Sequence, residues 1–185
     1  MPRHFSKSFA FQLLAVIFAF AVTSCGTSKK ASKSHPSPHH SEQTIHVKKD
    51  KHADKIIKEA HTWLGTPYKY AAQEKGVGAD CSGFVMKVYE TTTGEKLPRN
   101  SAKQAEYCEK LKDHEVKQGD LVFFATGKDP EKISHVGIVI DEISFIHASS
   151  SKGVVISDLT SNYYRRTFMM FGRVPRRKEL VSENN

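Results

Sequence analysis

Apolar residues recur at three- and four-residue steps through Ile56, Ile57, Ala60, Trp63 and Leu64, the period of a helix with one buried face, and Gly65 with Pro67 ends the run. Tyr68 and Tyr70 follow in an extended loop, and Gly76 and Gly78 allow a tight approach to Asp80. A second helix starts at Asp80 or Cys81, with Phe84, Val85, Val88 and Tyr89 on its apolar side and Gly94 placed as its C-terminal cap. A third begins near Ser101, which forms a capping-box pattern with Gln104; Ala102, Ala105, Cys108 and Leu111 make its inner stripe. The period then changes. Leu121 to Ala125, Val136 to Ile140, Ser144 to His147, Val154 to Ile156 and Phe168 to Val174 read as strands, most of them separated by turn signals such as Gly127-Lys128-Asp129-Pro130 and Lys152-Gly153. Three helices followed by about five strands predict an α+β domain over residues 53–177, with the N-terminal helices packed on an antiparallel sheet. Residues 178–185 form a charged tail.

Ahead of this domain the pattern is different. Arg3 and Lys7 precede an apolar run from Phe9 to Val22 broken only by Gln12. A stable membrane span needs about 20 apolar residues, so the run fits the core of a secretory signal peptide over residues 1–24. The small residues of Val22-Thr23-Ser24-Cys25-Gly26 resemble a bacterial lipobox, in which Cys25 is lipidated and becomes the first residue of the mature protein. The alternative is an ordinary signal peptide cleaved near Ala21 or Ser24. Gly26, where an Asp would retain the protein at the inner membrane, points to a lipid-anchored protein of the outer membrane facing the periplasm.

Residues 25–52 are rich in Lys, Ser, His, Pro and Thr and cannot bury enough apolar surface to offset the entropy of ordering, so they read as a disordered tether. His35, His39, His40, His46 and His52 lie in it. A metal-binding tract is conceivable, but Pro36 and Pro38 keep the segment extended and no thiol or acidic cluster joins it, which favours a solvated linker. The formal charge is +8, with Lys29, Lys30, Lys33, Lys48, Lys49 and Lys51 crowded near the start. Nucleic acid, an anionic membrane or an anionic polymer would each suit that balance. No basic run interleaved with aromatics and no nucleic-acid motif is present, so nucleic acid is not the expected partner.

The candidate chemistry lies in Asp80-Cys81-Ser82-Gly83-Phe84-Val85 and in two later histidines, His135 and His147. A free cysteine is most often a small buried hydrophobe. Cys81, however, sits at a helix start behind a glycine-rich approach, and a helix N-terminus and an imidazole both favour the thiolate. Gly83 on the next turn lets a strand backbone come close. His135 and His147 sit on two strands joined through Asp141-Glu142. If those strands pair antiparallel, one imidazole can accept the thiol proton while the other holds the first in its tautomer. A zinc site of Cys81, His135 and His147 is the competing reading, but the close paired spacings of structural zinc are missing. A Cys81–Cys108 disulfide would remove the nucleophile; with Cys108 on a buried helix face, two free thiols are expected.

Six segments in order carry a resemblance: Leu64-Gly65-Thr66-Pro67-Tyr68, the Asp80–Val85 run, Leu97-Pro98-Arg99-Asn100-Ser101, Gln118-Gly119-Asp120-Leu121-Val122-Phe123-Phe124, His135-Val136-Gly137-Ile138 and Phe145-Ile146-His147-Ala148-Ser149. From about Ile57 to Val174 the chain resembles the NlpC/P60 family of cell-wall cysteine peptidases, and in particular its lipoprotein murein D,D-endopeptidases. The resemblance implies a papain-like fold and a peptidoglycan substrate, with no metal or cofactor and a monomeric enzyme. It assigns Cys81 as nucleophile, His135 as general base and acid, His147 as the orienting third member and Tyr68 as the hydroxyl beside the nucleophile. It places Asp80, Ser82 and Ser101 along the stem-peptide cleft. One departure is Ala71-Ala72, where the family has a Gly-Gly pair. The implied reaction is hydrolysis of stem-peptide amides, with murein endopeptidase activity first. D-γ-glutamyl–diaminopimelate cleavage, a non-catalytic wall-binding role, or an acyltransferase or amidase on a related thiol fold are the alternatives.

Overall fold

The computed structural model describes residues 51–176. The expected signal peptide, Cys25, most of the tether and the charged tail lie outside the described residues. Among the described residues, no helix is long and apolar enough to cross a membrane.

Helix α1, Lys51–His61, buries Ala53, Ile56, Ile57 and Ala60, so the helical period expected there is present. The helix stops three residues short of Leu64, which therefore leaves the apolar face and is 46% exposed, while Trp63 turns inward and packs edge-on against Phe84 at 5.6 Å. A short hairpin of β1, Gln73–Glu74, and β2, Gly78–Ala79, carries the chain to α2, Cys81–Thr93. Asp80 caps α2 by accepting from the Gly83 backbone N–H, and Gly94, left-handed at φ 76°, ends it. Its face of Phe84, Val85, Val88 and Tyr89 is buried.

Helix α3, Ser101–Tyr107, corrects two expectations. Its cap is Asn100, whose side-chain oxygen accepts from the Lys103 N–H at 2.8 Å; Ser101 is the first helical residue. Gln104 does not close a capping box. It is fully buried and its amide donates to the Ser82 and Pro98 carbonyls, tying α3 to the start of α2. The helix is also short. Cys108 is already extended, and Leu111 belongs to strand β3, Glu109–Leu111, rather than to a helical stripe.

The remaining strands are β4, Leu121–Phe124; β5, His135–Val139; β6, Ser144–Ser149; β7, Gly153–Asp158; and β8, Phe168–Arg173. They join β3 in one antiparallel sheet of six strands ordered β3-β8-β4-β5-β6-β7, one more than expected. The extra strand, β3, is short, polar and at the edge, so it shows no alternation to read. Helix α4, Asn162–Thr167, was equally hidden, having no apolar period and no side-chain cap.

The sheet is buried on both faces. Phe123, Val136, Ile138, Ile146, Ala148 and Val154 pack with α1 and α2 in the main core. On the other face Val122, Phe124, Val139, Phe145 and Phe171 are covered by Tyr164 and Phe168. Double coverage explains why these strands read as nearly continuous apolar runs.

Candidate active site

The start of α2 is clamped from several sides. One Asp80 oxygen accepts from the Gly83 N–H and from Arg99 Nη1, each at 2.8 Å; the other accepts from the Ala71 N–H and from Arg99 Nη2, also at 2.8 Å. Burial pushes the Asp80 carboxyl up, but the bonds from Arg99 and Gly83, with the Arg99 charge, more than offset this and hold it below its ordinary range. Ser82 donates to the Arg99 carbonyl at 2.7 Å. A side chain at Gly83 would collide with the Ala72 carbonyl and would sit 3.1 Å from Gln73 Cβ. The close approach expected at Gly83 is therefore real, and its neighbours are the Ala72 carbonyl just before β1 and Gln73, the first residue of β1. Ala71 holds φ 60°, a left-handed conformation ordinarily taken by glycine.

This frame sets Cys81 as the first residue of α2, 8% exposed, with its sulfur 4.0 Å from the Ser134 carbonyl. Tyr68, held by a bridge to Ala79, stands nearby, whereas Tyr70 is 85% exposed. Strands β5 and β6 pair antiparallel with Ile138 opposite Ile146, a register that lays His147 across from Gly137. A Cβ at Gly137 would lie 2.5 Å from the Phe145 ring and 3.1 Å from His147 Cβ, so only glycine leaves His147 its position. His135 Nε2 and His147 Nδ1 are then 2.7 Å apart, a direct hydrogen bond. His135 Nδ1 is left for another partner.

Tyr68, Cys81, His135 and His147 line a single cleft of about 260 Å³. Four residues named as catalytic from the sequence are thus together in space. Asp80, Ser82 and Ser101 are not among the lining residues; all three are buried, and Asp80 and Ser82 are engaged with Arg99. The rest of the wall is hydroxyl-rich: Thr126, Ser134, Ser149, Ser150, Ser151, Tyr163 and Tyr164. Tyr164, Ser157 and Arg99 were not singled out from the sequence. Arg99 lies in Leu97-Pro98-Arg99-Asn100-Ser101, 19 residues from Asp80, and only the fold brings the two together. Ser157 and Tyr164 carried no signal, because only the folding of β7 and α4 brings them to His147.

Burial dominates the electrostatics. It pushes the Cys81 thiol up to about 11, the Asp80 charge adds to the rise, and the N–H groups of Val136, Ser82 and Cys81 act the other way without offsetting it. The expected lowering of this thiol is therefore overturned, since desolvation of the thiolate outweighs the helix start. Burial alone pushes His135 down to about 4, although one edge of the ring opens to the cleft. His147 falls to about 3 through burial and then through repulsion from His135. Thiol and imidazoles thus rest neutral at neutral pH. Cys108, partly buried, is also a free thiol and is pushed up to about 12 by burial.

These histidines make stability pH-dependent. In the unfolded chain each takes up a proton near 6.5, but the folded protein resists protonation until about 4 and about 3. The unfolded state binds more protons in that window, so stability is complete above 6.5 and is lost as pH falls toward 4. The Tm should decline between pH 6.5 and 5, ahead of carboxylate titration, and His147→Gln should flatten the decline. A wild-type Tm that stays level over this range would contradict the burial argument.

Among the described residues, no group of three or more His, Cys, Asp or Glu side chains has the geometry to hold a metal ion. Comparison with known proteins adds a family. The model described as "NlpC/P60 family" matches residues 65–173, more than half of the chain. A protein of Haemophilus influenzae named "Probable endopeptidase" is 38% identical over 119 residues, covering 64% of this chain and 73% of that protein. "Murein DD-endopeptidase MepS/Murein LD-carboxypeptidase" of Escherichia coli is 34% identical over 120 residues, 65% of this chain and 62% of that protein. Among solved structures, an NlpC/P60 family protein from Bacillus cereus superposes with a TM-score of 0.61 at 30% identity, covering 66% of this chain and 40% of that one.

Proposed function

The chain belongs to the NlpC/P60 family, and on that premise we propose that it is a cysteine peptidase hydrolysing amide bonds in peptidoglycan stem peptides, as a murein endopeptidase. The observation that carries this reading is the shared cleft of Cys81, His135 and His147, with the two imidazoles 2.7 Å apart. Names of relatives such as murein DD-endopeptidase support the substrate class.

Hydrolysis would run in two steps. As the substrate carbonyl approaches, the Cys81 thiol turns from the Ser134 carbonyl and gives its proton to His135 Nδ1 while sulfur attacks carbon. Because both groups rest neutral, this is general-base catalysis and needs no preformed ion pair. The oxyanion gathers at the N-terminus of α2, where the Cys81 N–H stabilises it. The C–N bond breaks as His135 returns the proton to the leaving amine, and a thioester remains. Water, deprotonated by His135, attacks the thioester; the C–S bond breaks and sulfur recovers the proton. His147 holds the His135 ring throughout, and the Tyr68 hydroxyl borders the nucleophile.

Digestion of purified sacculi tests the reading. Crosslinked muropeptides should fall and monomers rise, as measured by mass. Release of fragments cut between D-glutamate and diaminopimelate would replace the endopeptidase assignment, and no difference from the Cys81→Ala protein would overturn the peptidase.

Lipidation of Cys25 would anchor the enzyme in the outer membrane, facing its substrate from the periplasmic side. Cys25→Ala should move the protein from the membrane to the soluble fraction while leaving hydrolysis of soluble muropeptides unchanged. A soluble wild type without acyl mass at its N-terminus would remove the anchor.

A further inference from the structure

The hydrogen bonds do not stop at His147. Its Nε2 lies 2.9 Å from Ser157 Oγ and 3.2 Å from the Tyr164 hydroxyl. Ser157 is on β7, opposite Phe145 in register, which puts it on the same sheet face as His147 two residue pairs along. Tyr164 descends from α4, its ring edge-on to Phe145 at 4.8 Å and to His147 at 5.6 Å.

We propose that Ser157, supported by Tyr164, is a positioning residue that sets the tautomer of His147 and, through it, frees the nitrogen of His135 that works as base. The proposal rests on the peptidase reading. A single proton lies between His135 Nε2 and His147 Nδ1. For His135 Nδ1 to accept the thiol proton, that shared proton must belong to His135 Nε2. His147 Nδ1 is then the acceptor, and His147 Nε2 carries hydrogen and needs an acceptor of its own. Ser157 Oγ is the nearer of the two oxygens and has two lone pairs, so it can accept from His147 Nε2. Without Ser157, His147 Nε2 meets only a phenol, a better donor than acceptor. The reverse arrangement then wins, with hydrogen on Nδ1 of both rings, and the base nitrogen of His135 is blocked. The same chain stabilises the His135 imidazolium after proton transfer, since each ring passes a hydrogen bond outward toward Ser157.

The test combines imidazole ¹⁵N chemical shifts of the resting full-length protein with kcat and KM on muropeptides. In the wild type both rings should be Nε2–H. Ser157→Ala should move His147 to Nδ1–H and lower kcat roughly tenfold at unchanged KM, the loss of one ordinary hydrogen bond. Ser157→Thr should restore both readouts, and Tyr164→Phe should keep the tautomers with only a few-fold lower kcat. If Ser157→Ala does not fold, Ser157→Cys, a weak acceptor of similar volume, is measured in its place with the same expectation. Wild-type tautomers persisting in Ser157→Ala, or a hydroxyl-independent kcat, would overturn the proposal. A wild type that shows the Ser157-dependent tautomers yet cleaves no muropeptide would instead overturn the peptidase reading and leave the positioning role intact.

Discussion

Replacing Cys81 by alanine or serine should abolish hydrolysis, with kcat falling by about 10⁴-fold or more, while the circular dichroism and Tm stay close to wild type. The sulfur lies 4.0 Å from its own hydrogen-bond acceptor and points into the cleft from the first turn of α2, so either substitution removes the nucleophile without opening the core. Serine is no substitute, because its hydroxyl is a far weaker acid and His135, held down to about 4, is a weak base. Measurable turnover in Cys81→Ala would end the cysteine-peptidase reading, as would activity lost to a chelator and restored by zinc. The resting thiol is pushed up to about 11, so iodoacetamide should modify Cys81 slowly at neutral pH and faster as pH rises. Rapid alkylation at pH 5 would show instead that a thiolate–imidazolium pair forms before substrate arrives.

His135→Ala should be the second most damaging change. A positioned general acid–base contributes about 10²–10⁴-fold, and His135 moves a proton in both halves of the reaction, so kcat/KM should drop by that factor at every pH. His147 acts through His135. His147→Gln or His147→Asn can still accept from His135 Nε2 and should retain partial activity, losing most of its effect in kcat. The acid limb of the wild-type kcat/KM profile should fall near the His135 value of about 4 and not near 6.5. An active His135→Ala protein, or a His147→Gln protein as inactive as His135→Ala, would reverse the two roles.

The residues that could be read from the sequence share a property: their signal is local. Phe84, Val85, Val88 and Tyr89 follow one helical face, and Asp80 and Gly94 bracket it with a cap at each end. Leu121-Val122-Phe123-Phe124 is wholly buried and reads as a strand without knowledge of its neighbours. Where the local signal misled, a longer-range contact had won. Gln104 fits a capping box three residues after Ser101, but the carbonyls of Ser82 and Pro98 take its amide, and Asn100 supplies the cap. Leu111 continues a helical spacing, yet β8 pairs with it as a strand.

The site divides along the same line. Residue identity and order along the chain were enough to name a thiol at a helix start and two imidazoles on neighbouring strands, because those are properties of short segments and of one hairpin. Three things depended on the tertiary fold. The 2.7 Å contact between the rings needs the β5–β6 register and the space that Gly137 leaves. The outward bonds of His147 need β7 and α4 laid beside β6, and neither Ser157 nor Tyr164 bears a mark of that duty in its own segment. The protonation state of Cys81 was decided by burial against the sheet, since the cost of desolvating a thiolate depends on everything packed around it, and no single segment of sequence contains that sum.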